Sequence, residues 1–367
     1  MGKFKKVFKG LADPRAANAQ HPLLEVLFIA LAAMLCGADG PSDMERFGKS
    51  KEGLLRQILR LEHGIPSHDT FGRVFQALDP RAFERVFLRF MVGFAKFNKM
   101  DLTGVLAIDG KALRGAYERG CNTTPLQMVN VFAVAARMSL ASRKAPGRNE
   151  AAAAVEVLQT LCLKHCIITA DALHCHRGFA ATVLEQGGDY VLALKANQSK
   201  LHDAVIRCFT RAGTRSVAEQ LEPSTHDRRE WRRATVMRDS KLAALHDFPG
   251  IVAIARITSR RRAHGKPAEK PFVRYYLLSK YIPAKRLLDI VRGHWSIENQ
   301  LHWVLDVVFD EDGCRVRKDN APENLAILRR LAANVVRSHP AKMSLRQKIK
   351  SAAWDDSFLL AMLSHMR

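Results

Sequence analysis

A chain of 367 residues is long enough for two hydrophobic cores, and its 47% hydrophobic and 26% charged residues exclude a disordered or fibrous protein. Lys and Arg number 58 against 36 Asp and Glu, a net charge of +22. Such a surplus repels itself in a folded chain unless a polyanion shares it, so nucleic acid is the expected partner, ahead of a protein that is basic by composition alone.

The basic start Met1-Gly2-Lys3-Phe4-Lys5-Lys6 leads into no apolar signal segment and, with Lys6, lacks the myristoylation pattern. Leu23 to Leu35 is the best apolar run, but it is too short for a bilayer and carries Glu25, so a buried helix and no membrane partner are expected. Cys36, Cys121, Cys162, Cys166, Cys175, Cys208 and Cys314 are odd in number and scattered, which suits a reducing, cytoplasmic setting. Residues 1–100 read as helical. Leu54, Leu55, Ile58, Leu59 and Leu61, then Phe71, Val74, Phe75 and Leu78, recur at helical spacing around Gly64-Ile65-Pro66-Ser67-His68-Asp69-Thr70. Flanked by Arg56, Arg60 and Arg73, this fits either a helix-turn-helix-like DNA contact or an ordinary helical corner.

From residue 101 onward strands and helices alternate. Val105 to Ile108 is an apolar strand ending at Asp109-Gly110-Lys111; Gln127 to Ala136 and Met138 to Ser142 follow as strands, and Glu150 to Leu161 as a helix. Ile167 to Ala170 is a strand ending at Asp171, and Tyr190 to Leu194 is another. A mixed sheet flanked by helices, of the α/β class, is expected. Residues 198–285 interrupt it with Arg228, Arg229, Arg232 and Arg233 around Trp231, and with Arg260, Arg261 and Arg262 between the strand-like runs Ile251 to Ile257 and Phe272 to Leu278. We read this as a β-rich insertion whose cations meet phosphates. Ala284 to about Leu305 is expected as one helix, and another follows Asn320-Ala321-Pro322-Glu323. There is no internal repeat.

Asp109 and Asp171 close two apolar strands, where side chains leave the core and can face a ligand. On adjacent strands they would converge on one hard cation, and Gly110 beside the first would let a phosphate backbone approach. Glu298 shares a helical face with His294 and His302, a polar column that is costly to bury without a ligand. Three carboxylates would hold two Mg²⁺ ions, the arrangement for in-line displacement at phosphorus. Lys111 and Arg114 are candidate phosphate contacts. Cys162, Cys166, His174, Cys175 and His176 crowd the second Asp, but without the loop-separated pairs of a zinc finger they read as core residues. Asp310-Glu311-Asp312 reads as a solvated loop.

Several separate motifs resemble the H-repeat-associated family of bacterial insertion-sequence transposases, in the DDE superfamily. They are Asp109 to Gly115; Ile168-Thr169-Ala170-Asp171-Ala172-Leu173-His174-Cys175 with Gly187 to Gln198; and His294 to Val307 with Asn320-Ala321-Pro322-Glu323-Asn324. The resemblance spans nearly the whole chain. It implies a ribonuclease-H-like core with a β-rich insertion at about 198–285, a helical N-terminal DNA-binding domain at 1–100, and Asp109, Asp171 and Glu298 as catalytic metal ligands for Mg²⁺, with Mn²⁺ as a substitute. It further implies binding of transposon terminal repeats and target DNA by a homodimer or larger synaptic complex, associated with the nucleoid. Related enzymes often place Tyr, Arg and Lys around the catalytic Glu. Here Val291, His294 and Leu305 stand there, leaving Lys195, Arg292, His294 and His302 as candidate phosphate contacts. The rival readings are a catalytically silent DNA-binding relic or regulator of the same fold, and a ribonuclease-H-like nuclease for RNA–DNA hybrids.

Overall fold

The computed structural model describes residues 2–117, 124–210, 213–225, 228–239, 241–263 and 267–364. Up to residue 103 every described element is a helix: Gly2–Phe8, Leu23–Leu35, Pro41–Ser50, Glu52–Leu55, His68–Ala77 and Pro80–Phe97. Leu23–Leu35 is apolar on all sides and almost wholly buried, as such a helix must be. Ser67 caps His68–Ala77 by accepting from the Thr70 amide, and Asp79 caps Pro80–Phe97 by accepting from Arg81 and Ala82, with Pro80 in the first turn. The helix-turn-helix, one of the two readings of residues 54–78, is not formed there. Glu52–Leu55 is a single turn, and residues 56–67 separate it from His68–Ala77. Leu59 and Leu61 are buried all the same, from irregular backbone rather than from a helical face. Burial, not a helix, explains their periodicity.

These helices share one core with the long helix Ala321–Ser338, through residues such as Phe4, Phe28 and Phe87 against Leu325, Leu328 and Leu331. Asn324 secures the joint by donating to the carbonyls of Phe75 and Leu78, both at 2.8 Å. The N-terminal helices thus share their core with the C-terminal helices, while the strands that begin near residue 104 pack chiefly in a separate core.

Among the described residues nine strands form one sheet: β1 (Gly104–Tyr117), β2 (Pro125–Ala133), β3 (Met138–Lys144), β4 (Cys166–Ala170), β5 (Asp189–Leu194), β6 (Ser216–Thr225), β7 (Arg228–Arg238), β8 (Ala253–Ala263) and β9 (Phe272–Leu278). Their order is β3-β2-β1-β4-β5-β9-β8-β7-β6. In the first five, β2 is antiparallel to β1 and β3, whereas β4 runs parallel to β1 and β5. This is a ribonuclease-H-like core. The insertion does not stand apart from it, because β9 pairs antiparallel with β5 and β6–β9 extend the same sheet.

Helices cover both faces. Ala153, Ala154 and Val157 of Glu150–Leu158 pack with Ile108 and Ile168 on one face. Ile297, Leu301 and Leu305 pack with Ala107 and Phe132 on the other. Two elements differ from expectation near these faces. β1 does not stop at Asp109 but continues to Tyr117, held by β2 and by the loop Asp312–Cys314, whose carbonyls lie so close that a Cβ on Gly115 would stand 2.3 Å from Cys314 O. The expected single helix from Ala284 ends at His294, and Glu298–His302 is wound as a π-helix before Trp303–Val307. Such widened turns recur at functional sites.

Candidate active site

The parallel pairing of β1 with β4 runs from Gly104↔Cys166 to Ile108↔Ala170 and ends there. Asp109 and Asp171 are the next residue on each strand, so both carboxylates emerge where the ladder stops. Asp109 alternates with Ile108 and shares the face of Ala107, under the π-helical turn that carries Glu298 and His302. One donor atom from each of Asp109, Glu298 and His302 lies within 4.8 Å of the others, the one such group of metal-binding side chains among the described residues. Asp171 stands outside that trio; its Oδ1 accepts from the Leu173 amide at 2.9 Å, capping a short turn.

Burial, then the charges of Glu298 and Asp171, push the Asp109 carboxyl up to about 8. Glu298 moves the other way, held below its ordinary range chiefly by its hydrogen bond with His302, whose Nδ1 is 3.3 Å from Oε2. Burial and the neighbouring carboxylates favour the protonated form of Asp109, and the oxygen-rich donors of the cluster suit a hard divalent ion. The residues fit the metal that the motifs imply.

Behind the trio is a buried network. Asn130, opposite Asp109 on β2, lies 3.4 Å from His302 Nε2 through its Nδ2 and accepts from Ser142 Oγ and from Arg330 Nε through its Oδ1. Arg330 is fully buried and also donates to Glu311 at 2.7 Å. Asn130 and Arg330 were not among the expected site residues. A polar residue inside the Val-rich run Met128 to Phe132 was the available signal for the first. An arginine on an apolar helix was the signal for the second.

Three expected phosphate contacts are corrected. Lys111 is 6% exposed, and its ammonium sits 2.6 Å from Asp306 and 3.3 Å from Asp312, so its charge is spent inside the protein. Asp312 belongs to the segment read as a solvated loop, in which Glu311 is in fact buried as the counter-charge of Arg330 and Lys111. His294 is buried against Thr169 Oγ1 at 3.1 Å, and burial pushes its imidazole down to about 4, leaving it neutral near pH 7. His302 is buried and engaged with Glu298 and Asn130. Gly110 also differs from expectation: the space its missing side chain leaves is filled by the Glu150 carboxylate, not left open for DNA. Val291 and Leu305 serve as core residues.

Other expected contacts are at the surface. Arg114 is exposed, with its Nε 3.5 Å from Asp312. Lys195 and Arg292 are exposed, and Lys195 lines a cavity of about 290 Å³ next to Asp171 with Arg274 and Trp295. On the insertion, the pairing Arg229↔Arg262 and Trp231↔Arg260 puts these four on one face with Arg233. Arg232 and Arg261 are on the other, both engaged by Glu230. The side chain of Arg228 lies outside the described residues, as do His264 to Lys266. Cys166, His174 and Cys175 are buried core residues and His176 caps the helix Arg177–Glu185, whereas Cys162, read with them as a core residue, is exposed.

Comparison with known proteins adds the family. Residues 101–335 match the family model described as "Transposase DDE domain", and residues 5–91 match that described as "DDE_Tnp_1-associated". The H repeat-associated protein YhhI of Escherichia coli (strain K12) is 31% identical over 356 residues, 95% of this chain and 93% of that one. An uncharacterized protein of Xanthobacter autotrophicus is 38% identical over 268 residues, 71% of this chain and 90% of that one. Among solved structures, a piggyBac transposase synaptic complex with hairpin DNA is 12% identical with a TM-score of 0.43, covering 100% of this chain and 77% of that chain, a likeness too distant to carry an argument.

Proposed function

The chain belongs to the transposase DDE-domain family, among its H repeat-associated members, and on that footing we propose that it cuts and joins DNA strands at the ends of an insertion sequence. The observation that carries the proposal is the meeting of Asp109 and Glu298, from distant parts of the chain, with His302 in one 4.8 Å group beside the strand that leads into Asp171.

In this reading Asp109, Asp171 and Glu298 hold divalent cations, Mg²⁺ by preference and two in number. When bound, these supply a lowered pKa for attacking water and neutralise charge on the leaving oxygen. The protein's own part is positioning. Asp109 would hold a cation as its carboxylate, a form that burial and the neighbouring acids disfavour without one. His302, braced by Asn130, orients Glu298 from the side away from solvent. Arg229, Arg233, Arg260 and Arg262, interleaved with Trp231 on one face of the insertion, present a cationic ribbon suited to DNA phosphates. Arg114, Lys195 and Arg292 are further exposed cations for the strand being cut. A dimer or larger complex would hold two ends together. Among the described residues no helix is long and apolar enough to cross a membrane.

The test is transposition of a marked element, bounded by the terminal repeats that flank this gene, with the protein supplied separately. Wild type should give insertions with defined junctions. Asp109→Asn, Asp171→Asn and Glu298→Gln should give none while accumulating to wild-type levels. Equal insertion by the variants would refute the assignment of the three carboxylates.

A further inference from the structure

The helix Glu150–Leu158 lies on the face of the sheet opposite Glu298, yet its first residue does not turn to solvent. The Glu150 carboxylate lies over Gly110, next to Asp109: a Cβ built on Gly110 would stand 1.9 Å from Glu150 Oε2. Gln127 of β2 donates its Nε2 to Glu150 Oε1 at 2.9 Å and fixes the reach. Beyond burial, the charge of Asp171 is the main influence holding the Glu150 carboxyl above its ordinary range, and Arg148 offsets it only in part. An acid at the start of a helix is stabilised by the helix dipole just as well in solvent. Here it is drawn instead into partial burial over Gly110 and within reach of the charge of Asp171, an arrangement that a cation shared by the two carboxylates would relieve.

We infer that Glu150 is a fourth carboxylate of the cation site, reaching over Gly110 from the opposite layer to hold, with Asp171, a divalent ion that the Asp109–Glu298–His302 trio does not cover. The inference rests on the reading of Asp109, Asp171 and Glu298 as a divalent-cation site. It gives Gly110 a definite role. With any side chain there, the Glu150 carboxylate could not occupy its place, and because that carboxylate is the far end of a flexible chain, it would move aside rather than break the fold.

The test is binding of Mn²⁺ to the full chain, followed by the electron paramagnetic resonance of free Mn²⁺, for wild type, Glu150→Gln, Gly110→Ala and Asp109→Asn. Circular dichroism confirms folding of each. Glu150→Gln keeps the size of the side chain, and Gly110→Ala keeps the carboxylate but displaces it, so either alone tests the inference if the other fails to fold. Wild type should bind two ions. Glu150→Gln and Gly110→Ala should each weaken one of them about tenfold or more and leave the other within about twofold, whereas Asp109→Asn should weaken both. If Glu150→Gln and Gly110→Ala bind as wild type while Asp109→Asn is weakened, Glu150 is no ligand and the three-carboxylate reading stands. If Asp109→Asn also binds as wild type, the cation site itself is wrong and the inference falls with it.

Discussion

Replacing Asp109 by Asn should stabilise the protein in the absence of divalent cations, although it removes a residue central to the proposed activity. The Asp109 side chain is 22% exposed, and its carboxyl is raised from 3.8 to about 8, first by burial and then by Glu298 and Asp171. Between those values the folded chain keeps a proton that the unfolded chain releases, so stability falls as pH rises from about 4 to about 8 and levels off above. At ~1.4 kcal/mol for each pH unit in that interval the ceiling is about 6 kcal/mol; solvent screening of the exposed part brings the expected cost at pH 8 to about 2–3 kcal/mol. Asn carries the same shape with no charge and escapes it. For a chain of 367 residues this is a rise in Tm of about 3 °C at pH 8, shrinking to about 1 °C at pH 5. Thermal unfolding in EDTA at both pH values measures it. Added Mg²⁺ at pH 8 should then raise the Tm of wild type but not of the variant. A variant less stable than wild type at pH 8, or a gap that does not shrink at pH 5, would refute the electrostatic account.

Gly115→Ala should cost about 1–3 kcal/mol in urea unfolding, because its Cβ would meet the backbone carbonyls of Cys314 and Asp312 at 2.3 and 2.6 Å and neither can yield cheaply; an unchanged midpoint would contradict that packing. Asn130→Ala leaves Arg330 Nε and His302 Nε2 without their shared partner, with an expected loss of about 1–3 kcal/mol in stability and slower cleavage at unchanged DNA affinity. Slower cleavage explained wholly by weaker DNA binding would remove Asn130 from a positioning role. Arg229→Ala and Arg260→Ala should each reduce the slope of log binding constant against log salt by about 0.9 on duplex DNA; slopes equal to wild type would take the ribbon away from the phosphates.

The residues legible in the sequence were those whose setting is local. Asp171 follows an apolar strand, Asp109 follows an apolar run that the strand in fact continues beyond, and Glu298 stands amid polar residues on a helix; these local patterns singled the three out, and the motif resemblance joined them. The topology that joins them agrees with the ribonuclease-H-like order the motifs implied. Lys111 was misread because its partners Asp306, Glu311 and Asp312 lie some two hundred residues on, and no local pattern shows that a lysine after a strand will be folded under. The same distance hid the counter-charge role of Glu311. The leucines at 54–61 were misread for a different reason: burial from a loop imitates a helical face when only spacing is seen. The π-helical turn at Glu298–His302 was invisible, since one register of backbone hydrogen bonds differs from another without any change of composition.

Cleavage of end-labelled duplex carrying the flanking terminal repeats tests the central claim most directly, comparing wild type with Asp109→Asn in Mg²⁺ and in EDTA. Nicks or breaks at the repeat ends by wild type in Mg²⁺ alone, absent from the variant and from EDTA, are the predicted result. Tight, repeat-specific binding by wild type with no cleavage in Mg²⁺ or Mn²⁺ would contradict it and leave a DNA-binding protein that keeps the fold without the chemistry.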